Sequence, residues 1–387
     1  MLKNSEEEVL KTKLQTIDEK ILLSPLSLSG AEQELLHEAL AIGQVASSGT
    51  HIVRFEQRIA DICGTKYAIG LNSGTAAIHL ALKLLNIKAG DTVLCQSMTY
   101  CATAYPIQYV GARPVFIDSE FDTWNMDPAL LEKAIKQSLA KGIKPAAIIY
   151  VHIYGMPAKY DEISALATQY EIPLIEDAAE ALGSSYKGRP AGSLGDMGII
   201  SFNGNKIITT GGGGMLCSNS PNWYNHAAKL ANQGKDQMNY FAFDETAHNY
   251  RITNLAAAFG LGQLTDFDSR IVARQHCFIW YNKYLKNITG VDFQKDLPGH
   301  ISNRWLSVVL FPDNITRNSV KQKLLNAGIE ATEAMKPLHT MPLFAECEKY
   351  INGVSADLHQ RGLCLPSGSH ISEKEVKQIT EIFEVSM

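Results

Sequence analysis

The sequence contains no long apolar run and no block of like charge, and these absences exclude several classes of protein. A membrane-spanning helix needs about 20 predominantly apolar residues in a row, and the charged start MLKNSEEEVLKTK is not typical of a signal peptide. The net charge is −5 and the isoelectric point is about 6.1, so neither a nucleic-acid partner nor an acidic-membrane surface is indicated. We therefore expect a cytoplasmic protein that binds small molecules.

Cysteine and histidine also lack the spacing that would give them a structural or metal-binding role. The seven cysteines are odd in number, scattered and never spaced as C-x-x-C, which favours reduced thiols over a disulfide framework. The eleven histidines form neither H-E-x-x-H nor a Cys/His cluster, so the sequence predicts no metal site. With 45% hydrophobic residues, the 387-residue chain can bury a large core, and we expect two domains.

Short β-branched runs alternate with helical patterns from about Lys66 to Leu230, which is typical of an α/β sheet with crossover helices. A long helical pattern then runs from Asn254 through Leu285, and a mixed segment follows from near Val291. We divide the chain into an N-terminal extension (1–22), a large domain (23–265), and a linking helix with a smaller C-terminal domain (266–387). The predicted strands are Tyr67–Leu71, Thr92–Cys95, Pro114–Ile117, Ala146–Val151, Pro173–Ile175, Gly198–Phe202, Gly214–Cys217 and Trp305–Phe311, and the predicted helices include Thr75–Leu85, Pro128–Leu139, Lys159–Tyr170 and Glu373–Val385.

The stretch Ser201–Met215, SFNGNKIITTGGGGM, places a single lysine between an apolar run and four consecutive glycines. A phosphate-binding loop would need Gly, four residues and then Gly-Lys-Ser/Thr, whereas here Ile207 follows Lys206. One interpretation is a glycine turn beside a solvated lysine. The other is chemical, because desolvation at a strand end can leave a lysine as a free amine that attacks a carbonyl. The stretch alone leaves both interpretations open.

Ligands of open α/β sheets bind at the carboxyl ends of the strands, and two further polar segments follow predicted strands. The segment Asn72–Thr75, NSGT, begins an apolar helix whose first-turn N–H groups could bind a phosphate, with Gly74 allowing close approach. The alternative is that Ser73 or Thr75 only caps this helix. The segment Glu176–Glu180, EDAAE, places carboxylates at another strand end, although a capping acid would give the same pattern.

A lysine, a carboxylate and a phosphate site together match the requirements of pyridoxal phosphate (PLP). This cofactor needs a lysine for its Schiff base, an acid at its pyridine nitrogen and an anion site for its phosphate. The stretches NSGTAAIHLAL, EDAAEALGSSY and SFNGNKIITTGGGGM resemble those of the DegT-type nucleotide-sugar aminotransferases, and the resemblance covers nearly the whole chain after about Leu22. It implies the α/β fold of type I PLP-dependent transferases, in which helices sandwich a mostly parallel mixed sheet and a smaller C-terminal α+β domain follows.

The resemblance also implies roles for individual residues. Lys206 would bind the cofactor and then shuttle protons, and Asp177 would pair with the pyridine nitrogen, which makes these two the catalytic residues. Glu180 would lie near the cofactor's phenolic oxygen. Tyr100 occupies the position whose ring stacks on the pyridine, although it could instead be a core residue. The phosphate would be held by Gly74, Thr75 and Ser201.

A homodimer with shared active sites is implied by the motif HNYRITN. Asn249 matches an asparagine that reaches the cofactor phosphate of the neighbouring subunit, and Arg251 matches a residue that the family lends across the interface for substrate. The sequence departs from the family nearby, because Ala247 and His248 stand where relatives more often have Gly-Tyr.

The substrate is indicated by four segments, SPLSLSG, VHIYGMPAKYDEI, SNRWLS and GLCLPSGS, which resemble enzymes that aminate UDP-4-keto-6-deoxy-N-acetylhexosamines. The implied reaction moves the amino group of glutamate to C4 of the sugar. Arg304 and Trp305 would bind the nucleotide diphosphate or pack the small domain, and His339 matches a histidine of relatives. Thr332–Met335 stands where relatives typically read Arg-Pro-x-Trp, so an arginine is lost and an acid is gained near an anionic substrate.

Three alternatives stay open at the level of the sequence. The first is amination at C3 of a dTDP-linked keto sugar. The second is a PLP-dependent sugar dehydratase, but that branch tends to replace the lysine by histidine, so Lys206 argues against it. The third is a non-catalytic sensor of the same fold, which is disfavoured because every cofactor position is filled.

Overall fold

The computed structural model describes residues 20–235 and 243–384, and its strands form three sheets. Residues 1–19 of the predicted N-terminal extension lie outside the described residues. Val385, at the end of the last predicted helix, lies outside them as well. The strands are β1 (Tyr67–Leu71), β2 (Thr92–Gln96), β3 (Arg113–Ile117), β4 (Ala147–Val151), β5 (Leu174–Asp177), β6 (Ser185–Tyr186), β7 (Arg189–Pro190), β8 (Met197–Ser201), β9 (Gly214–Ser218), β10 (Asp292–Phe293), β11 (His300–Ile301), β12 (Ser307–Leu310), β13 (Thr332–Glu333), β14 (Lys349–Tyr350) and β15 (Gly362–Leu365).

The largest sheet has eight strands in the order β1-β9-β8-β5-β4-β2-β3-β14. All neighbouring pairs from β8 to β14 are parallel, and β9 runs antiparallel to both β8 and β1. The central strands are buried along their whole length, as AIIYV in β4 shows, because helices cover both faces of a parallel sheet. The predicted mostly parallel mixed sheet is confirmed, and every predicted strand is present with ends within two residues of the prediction.

Successive strand residues point to opposite faces of the sheet, and each face packs against its own helices. On one face the helix Gly74–Leu84 buries Ile78 and Leu80 against Val93 and Ile175. On the other face, Phe55 packs near β9 and Ile135 packs near β4. The helices are Ala31–Ala41, Thr50–Cys63, Gly74–Leu84, Tyr105–Tyr109, Pro128–Ala140, Tyr160–Gln169, Pro221–Ala231, Asn254–Gln263, Phe267–Leu285, Asn314–Asn326, Val354–Arg361 and Glu373–Glu384.

The C-terminal third contributes a second, antiparallel sheet of order β10-β12-β15-β13. Its core joins Val309 and Leu363 to Ile379 of the last helix and Tyr281 of the long helix. The helical pattern from Asn254 to Leu285 is interrupted at 264–266 by a short 3₁₀ turn, next to the predicted start of the linking helix. Strand β14 nevertheless pairs with β3 of the large sheet. The division into domains at 265/266 stays a prediction.

Among residues 20–235 and 243–384, no helix is both long enough and apolar enough to cross a membrane. In the same ranges, no three His, Cys, Asp or Glu side chains are grouped so that they could hold a metal ion.

Candidate active site

A cavity of about 470 Å³ opens where the carboxyl ends of β1, β2, β5 and β8 meet. Its volume lies in the range of small-molecule sites, about 300–1,000 Å³. The three segments singled out in the sequence all reach this cavity. The predicted site residues that line it are Gly74, Thr75, Tyr100, Asp177, Glu180, Ser201 and Lys206.

Asp177 is the last residue of β5 and is 4% exposed. Its carboxylate accepts a hydrogen bond from the Thr103 hydroxyl at 2.7 Å and one from the backbone N–H of Ala179 at 3.2 Å. Burial raises the pKa of Asp177, whereas the Thr103 bond, the Ala179 bond and the charge of Lys206 lower it. An ionised Asp177 in this position therefore gains from a cationic partner inside the cavity.

Glu176, one residue earlier, points to the opposite face of β5 and has a structural role. Its carboxylate is 0% exposed and accepts backbone N–H bonds from Gly192 at 2.6 Å, Leu194 at 2.7 Å and Gly195 at 3.2 Å. Nε2 of His152 lies 2.9 Å from the same carboxylate and donates to it, because Nδ1 of His152 accepts from the Ala158 N–H. The strand alternation thus separates the chemical acid, Asp177, from a structural one.

Lys206 enters the cavity from the loop after β8, and its side chain is 14% exposed. Its Nζ lies 3.5 Å from Oε1 of Glu180 and 3.9 Å from the centroid of the Trp305 ring. The other carboxylate oxygen of Glu180 accepts the Tyr154 N–H at 2.7 Å. Burial raises the pKa of Glu180, and the charge of Lys206 opposes that effect. The solvated-lysine interpretation is therefore not supported, because Lys206 lies between an aromatic face and a buried carboxylate.

The start of the helix Gly74–Leu84 lines the cavity. Ser73 caps this helix, since its hydroxyl accepts the Ala76 N–H at 3.1 Å, and this part of the capping alternative is correct. Gly74 and Thr75 form the first turn, and Ser201 stands beside them, with its Cβ 3.3 Å from where a Cβ on Gly74 would lie. A helix N-terminus flanked by two hydroxyl side chains suits a phosphate group.

The glycines after Lys206 let two backbone segments meet closely. A Cβ on Gly214 would lie 2.4 Å from the backbone N of Gly74, which is closer than real Cβ atoms approach. Gly211 has φ +77, in the left-handed region that favours glycine. The tight turn expected beside a cofactor is therefore present in the backbone.

Tyr100 is 66% exposed at the cavity edge, so it is not a core residue. Sequence reasoning missed its neighbours Thr99 and Thr103, whose hydroxyls lie 2.7 Å apart. Because Thr103 donates to Asp177, Thr99 donates to Thr103. These residues follow β2, and the rule that ligands bind at strand ends would have found them if it had been applied to this strand as well.

Asn249 and Arg251 do not line the cavity of their own chain. The backbone carbonyl of Asn249 accepts from the Asn72 side chain at 3.4 Å, which places the HNYRITN segment beside the helix start. Nη1 of Arg251 lies 2.5 Å from the Glu56 carboxylate and 3.2 Å from the Gly70 carbonyl oxygen. Their roles across a subunit interface stay predictions.

Arg304 and His339 also lie outside the lining of the cavity. The Arg304 guanidinium pairs with Asp296 and lies 3.5 Å from the centroid of the Phe278 ring. His339 is 8% exposed, its Nδ1 lies 2.6 Å from the Ser97 hydroxyl, and burial lowers its pKa. For Arg304 this geometry favours packing, which was the alternative to a nucleotide-binding role.

The departure at Thr332–Met335 does not bring an acid into the cavity. Glu333 pairs with β15 and directs its carboxylate to Lys321 at 2.7 Å and Arg317 at 3.2 Å. Met335 is the member of this segment that lines the cavity, and its N–H donates to the Tyr154 hydroxyl at 2.6 Å. The change therefore gives the cavity a neutral, apolar wall at this point.

These residues fit PLP on three counts. A lysine amine, a buried carboxylate and a helix start with two hydroxyl side chains all line the same cavity. The raised pKa of Asp177 is relieved by a cation such as a protonated pyridine nitrogen, since opposite charge favours the ionised acid. The fold and the site together define an aminotransferase of the PLP-dependent, fold type I class.

A profile of the DegT/DnrJ/EryC1/StrS aminotransferase family matches residues 27–384. The chain belongs to this family, as the sequence motifs predicted, and it is a PLP-dependent sugar aminotransferase. EpsN of Bacillus subtilis, named as a pyridoxal phosphate-dependent aminotransferase, is 45% identical over 94% of this chain and 95% of its own.

Two further relatives are named for different nucleotide sugars. GDP-perosamine synthase of Escherichia coli O157:H7 is 36% identical over 92% of this chain and 95% of its own. The UDP-4-amino-4,6-dideoxy-N-acetyl-beta-L-altrosamine transaminase of Campylobacter jejuni is 32% identical over 93% of this chain and 96% of its own. Among solved structures, the PLP form of the sugar aminotransferase Spr1654 from Streptococcus pneumoniae superimposes with a TM-score of 0.88 at 27% identity, covering 95% of this chain and 98% of that one.

Proposed function

We propose that this enzyme transfers the amino group of glutamate to C4 of a UDP-linked 4-keto-6-deoxy-N-acetylhexosamine, in the cytoplasm. The observation that carries the transfer chemistry is Lys206, whose Nζ lies 3.5 Å from Glu180 in a cavity that also holds the buried Asp177. A nucleophilic lysine, an acid and an anion site are the set that PLP chemistry requires.

Each of the chain's own groups has a distinct task in this reaction. Bound PLP supplies an electron sink that stabilises the charge left when the donor's α-carbon loses its proton. Lys206 would hold the cofactor covalently, and its free amine would take up and return a proton on Nζ at the substrate carbon that bears the nitrogen. Asp177 keeps the pyridine nitrogen protonated, and Thr103 fixes the orientation of its carboxylate at 2.7 Å. Gly74, Thr75 and Ser201 bind the phosphate.

The choice of sugar rests on the resemblance of the segments SPLSLSG, VHIYGMPAKYDEI, SNRWLS and GLCLPSGS to enzymes that aminate such UDP sugars. The Campylobacter relative, whose name gives a UDP-linked 4-amino-4,6-dideoxy-N-acetyl sugar, supports the UDP assignment. A GDP-linked 4-keto-6-deoxy sugar is the second candidate, because a GDP-perosamine synthase is more similar to this chain, at 36% identity. Both candidates place the new amino group at C4.

A panel of nucleotide keto sugars with glutamate distinguishes these candidates by mass spectrometry of the products. We expect the highest kcat/KM with the UDP-linked N-acetyl substrate. A higher kcat/KM with the GDP-linked sugar would establish the second candidate, and efficient amination at C3 of a dTDP-linked sugar would refute both.

The role of Lys206 has its own test. Protein loaded with PLP should be yellow, and borohydride should fix the cofactor to Lys206, as located by peptide mass spectrometry. Lys206→Ala should abolish the labelling, whereas Lys187→Ala should not, because Lys187 is exposed and pairs with Asp161. Labelling at a different lysine would refute the assignment.

The shared active site is part of the proposal, with Asn249 and Arg251 serving the neighbouring subunit. Both residues lie outside the cavity of their own chain, as a role in a second copy requires. Mixing Lys206→Ala chains with Asn249→Ala chains should restore activity, because one site of a mixed dimer then has both residues. An active monomer in sedimentation experiments would contradict this arrangement.

A further inference from the structure

We propose that Trp305 is the positioning residue of Lys206. Its indole N–H fixes the backbone beside the lysine, and its ring face holds the ammonium group of Lys206 whenever that side chain is free of cofactor. The proposal rests on Lys206 as the cofactor-binding lysine and adds a residue that controls it. It is carried by a double contact, in which the Trp305 ring centroid lies 3.9 Å from Nζ of Lys206 and Nε1 of Trp305 donates to the Asn205 carbonyl at 2.7 Å.

The ring face of Trp305 attracts the ammonium group of Lys206. Tryptophan is the strongest of the aromatic side chains in attracting a cation over its face, and the attraction is larger when the pair is desolvated. Trp305 is 3% exposed and the Lys206 side chain is 14% exposed, so little water competes for the ammonium group. Glu180 adds the opposite charge at 3.5 Å. A released Lys206 therefore has a defined resting place inside the cavity.

The backbone contact acts on the residue directly before the lysine. The Asn205 carbonyl accepts from Nε1 of Trp305 at 2.7 Å and from the Ser24 hydroxyl at 2.9 Å. The loop around Lys206 belongs to no helix or strand, so these side-chain donors replace the backbone bonds that regular structure would supply. Both donors come from distant parts of the sequence.

Arg274 joins the two donors to each other. One of its guanidinium nitrogens donates to the Trp305 carbonyl at 2.6 Å, and the other donates to the Ser24 hydroxyl at 2.9 Å. Burial lowers the pKa of Arg274 to about 10, which still leaves the group charged at neutral pH. A buried cation bonded to both residues holds their relative position more firmly than a neutral donor would.

The orientation of Trp305 depends on an unusual backbone conformation at the preceding residue. Arg304 has φ +52, which is uncommon for a residue other than glycine. Its side chain extends away to Asp296 and Phe278, and the next side chain, Trp305, turns into the cavity. Asn303 stabilises this turn, because its side-chain oxygen accepts the Trp305 N–H at 2.9 Å.

The same turn is tied to the segment that carries Glu180. The side-chain nitrogen Nδ2 of Asn303 donates to the backbone carbonyl of Glu180 at 2.9 Å and to that of Leu182 at 2.9 Å. Trp305 and Glu180, the two groups around Nζ of Lys206, are therefore fixed to one another through Asn303. This accounts for a strained residue at Arg304, since strain persists where the surroundings hold it in place.

The ring contact is tested on the apoprotein by acetic anhydride labelling of Lys206, measured by peptide mass spectrometry. Only the neutral amine reacts, so at neutral pH Trp305→Leu should label roughly 3- to 10-fold faster than the parent. An unchanged rate would overturn the proposal. An equal increase in Trp305→Phe, which keeps a ring over Nζ, would also overturn it, because the faster labelling would then come from better access and not from loss of the ring contact.

The backbone contact is tested with Trp305→Phe, which keeps a ring and removes the N–H. Labelling at neutral pH should stay within about twofold of the parent, while hydrogen exchange in the peptide that spans 203–208 should become faster. Unchanged exchange would refute the backbone role. Trp280→Leu removes a tryptophan packed beside His276 on the long helix, and it should alter neither measurement. Borohydride labelling of each PLP-loaded variant tests the assignment of Lys206 separately, so failure of that assignment is distinguishable from failure of the proposal.

Discussion

Replacing Gly214 by alanine should push the helix start away from the end of the sheet. A Cβ at this position would lie 2.4 Å from the backbone N of Gly74, 2.4 Å from the backbone C of Ser73 and 2.5 Å from its O. All three atoms belong to backbone, so no flexible side chain can give way. Real Cβ atoms essentially never approach another heavy atom within 3.0 Å, and β9 and the helix must therefore separate by several tenths of an ångström.

The magnitude follows from two opposing effects. Overpacking of this kind costs about 1–3 kcal/mol, while alanine gains about 0.4–1 kcal/mol by restricting the unfolded chain. We expect a net loss of roughly 1–2 kcal/mol in apoprotein stability. Gly212→Ala is the matched control in the same glycine run, because a Cβ there has no atom within 4 Å and the φ is not positive. It should leave stability unchanged or slightly raised.

The assay is urea unfolding of both apoproteins, followed by titration with PLP. A displaced helix start weakens charge-assisted hydrogen bonds to phosphate, each worth about 1.5–3 kcal/mol, so Gly214→Ala should bind PLP at least about tenfold more weakly. A Gly214→Ala protein with the parent's urea midpoint and PLP affinity would refute the close approach of strand and helix on which this reasoning depends.

Three further changes test individual carboxylates. Asp177→Asn should abolish most activity. At pH values above the raised pKa of Asp177, where the buried acid is ionised, it should also raise apoprotein stability by roughly 0.5–2 kcal/mol, because it removes a buried charge. That advantage should vanish as the pH falls through this pKa, because a protonated Asp177 is neutral too, and a gain that is independent of pH would contradict the assignment. Glu176→Gln should lower the urea midpoint by the equivalent of about 3 kcal/mol, since it places an N–H₂ group against donors such as His152, and an unchanged midpoint would refute the structural role. Glu333→Gln should weaken stability through loss of the pair with Lys321 and leave the KM for the sugar unchanged, whereas a large change in KM would place this acid at the substrate.

The strands of the large sheet could be predicted from the sequence, because the central strands are short apolar runs that end in polar residues. Residue type and spacing alone do not separate Glu176 from Asp177, since both follow the same predicted strand. The resemblance singled out Asp177, and the alternation of faces along β5 gives the physical reason why this residue enters the cavity. The direction of Arg304 was equally inaccessible. Its side chain leaves the cavity because the backbone adopts a positive φ, and that conformation has no signal in residue type for an arginine.

Short elements held by tertiary contacts were also missed. Strand β14 has two residues and shows no periodicity, so only its pairing with β3 defines it. The Thr99–Thr103 contact depends on the turn after β2, where a pattern search sees only two common polar residues. In each case a partner distant in the sequence decides the local structure, and a local window does not contain that partner.

The position of β14 has a consequence for the order in which the protein folds during synthesis. Residues 349–350 complete the edge of a sheet whose other strands all lie before residue 219, so β3 stays without its outer neighbour until most of the chain has been made. An unpaired edge strand can pair with another chain. We therefore expect nascent or truncated chains that end before Lys349 to associate through β3, and a chaperone that covers exposed strand edges should suppress this association.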